Sequence, residues 1–88
     1  MPYIKKKDRV RFENHINNLN GTIFTSGELN YVLTRLCQGF INANGLNYSS
    51  INNTIGVLEC CKLELYRRIA APYEDKKIEE NGDVNEVS

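Results

Sequence analysis

Histidine, cysteine and glycine-rich loops are scarce in this chain, and each scarcity removes a class of function. His15, Cys37, Cys60 and Cys61 are the only imidazole and thiol groups in 88 residues. No C-x-x-C or H-E-x-x-H spacing occurs, so zinc has no recognisable ligand set. Cys60 and Cys61 point about 100° apart on a helix. Three cysteines are an odd number and make no disulfide framework. The glycines form no phosphate-binding loop, and no serine or cysteine stands beside a recognisable base. Eleven basic and eleven acidic residues cancel, which removes the net positive field of a general nucleic-acid binder. No apolar run reaches the length of a membrane span and none resembles a signal peptide. The expectation is a cytoplasmic protein with no metal, no cofactor and no membrane partner.

What the chain has is helical periodicity. Phe12, Ile16 and Leu19 recur at spacings of four and three behind Asp8, predicting a first helix over 8–19 that ends at Asn20-Gly21. Thr25-Ser26-Gly27-Glu28 has the form of a capping box, and Phe24 and Leu29 stand where a hydrophobic staple would. The helix that follows, to about Asn42, places Leu29, Val32, Leu33, Leu36, Cys37 and Phe40 on one face, with Asn44-Gly45 as its stop. The third helix, from Ser49 or Ser50 to Pro72, is the longest uninterrupted run. Ile51, Ile55, Leu58, Cys61, Leu65, Tyr66 and Ile69 share a broad face, while Val57, Cys60 and Leu63 add apolar groups elsewhere. Pro72 should end it and open a short fourth helix over 73–80, closed by Asn81-Gly82.

The reading is an all-α, small three- to four-helix domain over residues 1–84 with a flexible C-terminal tail at 85–88. A chain of this size buries only about 60–65% of its unfolded surface, and a helix apolar on several sides needs cover on several sides. The expected assembly is a homo-oligomeric helical bundle. Charge is unevenly placed. Residues 1–12 hold Lys5, Lys6, Lys7, Arg9 and Arg11 against Asp8, whereas residues 74–86 hold six acids against Lys76 and Lys77. Head-to-tail pairing of the two ends is open.

Breaks in the pattern mark candidate sites. Lys62 falls inside the apolar face of the third helix; its stem packs there with the ammonium reaching solvent or Glu59, or it meets an anion in a pocket. Arg67 and Arg68 suit a helix C-terminus and can pair with Glu64. Beside Tyr66 and Tyr73 they also form the arginine and aromatic combination that stacks a base and clamps a phosphate. On the second helix Asn30, Tyr31, Thr34, Arg35 and Gln38 oppose the core. That is an ordinary solvated face, or a partner interface built on Asn30, Tyr31 and Arg35.

Across Gly27 to Tyr31, Ile55 to Arg68 and Ala71 to Lys77, with a Met1-Pro2-Tyr3-Ile4 start and Glu80 to Val84 at the close, the chain resembles a family of short, functionally uncharacterised proteins of bacteriophages and bacteria. The resemblance runs from Met1 to Val84 and attaches no catalytic role to any residue. A phage setting implies a host-interaction role. By size and helical character the chain is similar to small oligomeric phage proteins that sequester the nucleotide signals of bacterial immunity.

Three functions follow. The first is a non-enzymatic oligomeric binder of a small anionic, nucleotide-like ligand through Lys62, Tyr66, Arg67, Arg68 and Tyr73, with Arg35 contributing. The second is a protein-interaction module that inhibits a host enzyme through the Tyr31 and Arg35 face. The third, ranked last because its glutamates are isolated, is a helical nucleotide hydrolase holding magnesium on Glu28, Glu59 and Glu64.

Overall fold

A computed structural model describes residues 2–86. Its order is α1 (Lys6–Asn20), α2 (Ser26–Asn44), α3 (Tyr48–Leu65), a π-helical turn (Tyr66–Ala70) and α4 (Ala71–Asn81), with no strand among the described residues. The all-α expectation holds. The tail expected at 85–88 lies partly outside the description, which ends at residue 86, and Met1 lies outside it too.

α1 begins two residues earlier than its pattern predicted. Lys5 occupies the cap position without a side-chain bond, and Asp8 sits in the first turn, favourable to the helix dipole, instead of capping it. α2 starts on the capping box. Thr25 Oγ1 accepts from the Glu28 amide at 3.1 Å, and Glu28 Oε1 accepts from the amides of Thr25 and Phe24 at 2.9 and 2.8 Å. The expected staple is not closed, since Phe24 is 82% exposed. Gly45, at φ 98, ends α2 in the region glycine tolerates best. α3 is capped by Asn47, one turn before the serines expected to open it: its side-chain oxygen accepts from the Ser50 amide at 2.9 Å.

The larger correction is at Pro72. It does not separate two helices. A proline ring clashes with the carbonyl four residues back and removes a donor, and here the backbone widens into a π-turn, with the Ala71 N–H bonded to the Tyr66 carbonyl. Pro72 then falls in the first turn of α4, where its missing N–H is tolerated. α3, the π-turn and α4 therefore form one rod of about 51 Å at 1.5 Å per residue, close to the 57 Å long axis of the molecule.

α2 packs on α3. The only buried side chains among the described residues are Ser50 and Thr54, at 7% and 4% exposure. Small groups at i and i+4 let the two helices approach, and Thr54 Oγ1 satisfies itself on the Ser50 carbonyl at 2.8 Å. Leu36, Cys37, Phe40, Thr54 and Val57 line the cleft on one side of this seam. Of the expected face through Ile51, Ile55, Leu58, Cys61, Leu65, Tyr66 and Ile69, Leu58 meets Leu29 and Leu33 of α2, while Ile55 and Ile69 stay 60% and 63% exposed.

Among the described residues no apolar side chain is buried. The accessible surface is 7988 Å², against about 5,300 Å² for a compact protein of this mass. The radius of gyration is 17.6 Å, against about 12 Å for a compact chain of this length. No Cα of α1 lies within 8 Å of another helix.

Candidate functional site

The π-turn gathers most of the candidate residues. Tyr66, Arg67 and Arg68 lie on it, Lys62 one turn before it and Tyr73 just after it. A π-turn fits one extra residue into the helix, so it shifts the face presented by α4 relative to α3. Tyr66 is thereby within reach of α4, and its hydroxyl donates to Glu74 Oε2 at 3.0 Å. That bond, together with the negative charge of Glu74 and some desolvation, raises the Tyr66 hydroxyl above its ordinary range.

Arg67 is held from two directions. Its Nη2 donates to both oxygens of Glu64 at 3.1 and 3.2 Å and to the Tyr3 hydroxyl at 3.2 Å. Tyr3 in turn donates to Glu64 Oε1. The chain start is thus tied to the end of α3 across more than sixty residues of sequence, a contact that helical periodicity does not reveal because Tyr3 lies before the first helix. Glu64 is the most sheltered of the paired acids, its side chain 22% exposed.

Lys62 takes the ordinary course for a lysine on an apolar face. Its stem lies beside Leu65, Tyr66 and Ile69, and its ammonium pairs with Glu59 at 2.9 Å while 68% exposed. Such a pair contributes under about 1 kcal/mol and is readily exchanged. Arg68 has no ion pair or hydrogen bond among the described residues. Tyr73 receives Lys77 over its ring at 5.5 Å.

Arg35 is not brought to this cluster. It lies on α2, which packs on α3 and not on the π-turn. There its Nη1 donates to the Tyr31 hydroxyl at 2.8 Å, with the guanidinium 5.8 Å from that ring's centroid. Thr34 donates to the Asn30 side chain at 3.1 Å, and these two border the groove lined by Leu29 and Leu33 of α2 and Leu58 of α3. The second candidate surface is therefore a pre-ordered polar patch.

Among the described residues no group of three or more His, Cys, Asp or Glu side chains is placed to hold a metal. Glu28, one of the acids considered for magnesium, is engaged in the capping box, whose backbone N–H groups hold its carboxyl below the usual range. No described helix is long and apolar enough to cross a membrane.

No curated protein and no solved structure matches the chain. A family model described as a domain of unknown function, DUF6899, matches residues 1–84. Because that match takes in all but the last four of 88 residues, the chain belongs to the DUF6899 family.

Proposed function

We propose that this protein is a non-enzymatic, homo-oligomeric binding protein of the phage type, whose ligand is a small anionic, nucleotide-like molecule taken at the π-turn. The observation that carries the assembly is the missing core: no described apolar side chain is buried. The surface in excess of a compact chain, about 2,700 Å² per copy, amounts to about 5,400 Å² for two, the scale of an obligate interface. Assembly also turns shallow surfaces into enclosed ones, and ligand sites need enclosure.

The seat of the ligand follows from which cations are available. Arg68 is unengaged among the described residues, Lys62 is held only by a weak exposed pair, Tyr66 shares a surface with Lys62, and Tyr66 and Tyr73 are both exposed. Two cations with two rings can clamp a phosphate and stack a base. Arg67, already bound to Glu64 and Tyr3, fixes the geometry of the turn. Arg35 reaches the site only if another copy presents it. Native mass spectrometry of protein purified from bacterial cells, followed by calorimetric titration with cyclic dinucleotides, tests the reading. Arg68→Ala and Lys62→Ala proteins that still assemble should each lose about tenfold or more in affinity; unchanged affinity in both removes this seat.

A second reading rests on the Tyr31 and Arg35 pair, whose mutual hydrogen bond pre-orders two hot-spot residue types on an open face. There the ligand is a host enzyme that the protein inhibits. Tyr31→Ala with Arg35→Ala should then abolish capture of that enzyme while leaving nucleotide binding intact.

A further inference from the structure

α1 carries an apolar stripe that no other helix covers; Pro2, Tyr3 and Ile4 shelter part of it around Phe12 and Ile16. Phe12, Ile16 and Leu19 are 39%, 47% and 36% exposed, and no Cα of the helix comes within 8 Å of another helix. Its first turns are strongly basic. Among the described residues no ion pair involves Lys5, Lys6, Lys7, Arg9 or Arg11. Toward the other end of the sequence the situation is mirrored. α4 and the residues after it carry Asp75, Glu79, Asp83 and Glu86, none of them in an ion pair among the described residues. Just before α4 the rod exposes Leu65 and Ile69, at 53% and 63%.

We propose that α1 of a second copy lies antiparallel along this rod, its basic first turns beside the acids of α4 and its Ile16 and Leu19 against Ile69, so that it walls the ligand seat at the π-turn and does not fill it. Each helix advances about 1.5 Å per residue, so an antiparallel alignment that sets the basic stretch on the acidic one also sets the apolar stripe on the exposed apolar end of α3. One alignment satisfies both patterns. The inference rests on the self-assembly reading and names the surfaces that carry it.

Charge reversal tests the alignment without weakening either helix. Glutamate is favoured in the first turn of a helix and lysine in the last, so Lys5→Glu with Lys6→Glu and Lys7→Glu suits α1, and Glu79→Lys with Asp83→Lys suits the end of α4 and leaves its Lys77–Glu80 pair in place. Loss of assembly in either variant therefore reports the contact and not helix fraying, which circular dichroism checks. Sedimentation velocity at about 50 mM salt, where surface charges are weakly screened, should show the dissociation constant raised about tenfold or more in each reversed protein. The protein carrying both reversals should return to within about threefold of the original, since the signs are again opposite. An oligomer indifferent to all three variants overturns the alignment but leaves self-assembly standing. A monomeric parent protein overturns the self-assembly reading and the alignment with it.

Discussion

At the residue scale, the least ambiguous stabilising group is the Thr25 and Glu28 capping box. Thr25→Ala should destabilise α2 by about 1 kcal/mol, read from the denaturant midpoint. Glu28 has a depressed carboxyl pKa in the folded chain because the Phe24 and Thr25 amides donate to its charged form. The sign follows: the contribution is present above the ordinary carboxylate range and is lost as pH falls through the lower folded value. The Phe24 and Thr25 amide resonances should therefore shift together on acidification below about pH 4, and Glu28→Gln should flatten that response. Tyr66 runs the other way, its raised pKa making the Glu74 contact stable at neutral pH and lost as pH rises through that value. The capping box was legible in the sequence because its spacing is its mechanism. Asn47 was missed because two serines downstream offered the same chemistry, and Tyr3 because its partners Glu64 and Arg67 are distant in sequence.

At the scale of the element, two features decide the shape of the rod. The α2 and α3 seam depends on smallness at Ser50 and Thr54. Thr54→Leu should push the helices apart and lower stability by about 1–3 kcal/mol, seen as a drop in Tm. The sequence reading named a broad apolar face on the third helix without saying which helix covers it, and it missed Ser50 and Thr54 because hydrophobicity was taken as the mark of burial, whereas here close approach selects a short hydroxyl. The π-turn is the second feature. Pro72→Ala restores the missing donor and removes the clash, so Tyr66–Ala70 should relax toward α-helix, with hydrogen exchange over residues 66–76 slowed about tenfold. Unchanged exchange would mean that the turn is held by the Tyr66 to Glu74 bond and the Tyr3 clamp. Proline was read as a helix end because a normal α-turn cannot absorb it; a π-turn can.

At the scale of the whole molecule, the all-α class and the helix count followed from periodicity and turn signals. The poverty of the core did not. Hydrophobic stripes show that a face needs cover, but not whether the cover is in the same chain, and α1 could be read as the third member of a closed bundle. Instead α1 stays apart and the apolar faces stay open. Lys62, Tyr66, Arg67, Arg68 and Tyr73 are close in sequence and fall on or beside the π-turn, whereas Arg35 lies on α2, which packs on α3. A surface of 7988 Å² with no apolar side chain buried among the described residues is what supports the proposal that the chain folds as one part of a larger unit. The most direct measurement of that claim is the solution mass by light scattering over a hundredfold range of concentration, paired with thermal unfolding on the same samples. The account predicts a mass that is a multiple of 10.1 kDa and a Tm that rises with concentration. A 10.1 kDa species that unfolds cooperatively at a concentration-independent Tm would contradict it.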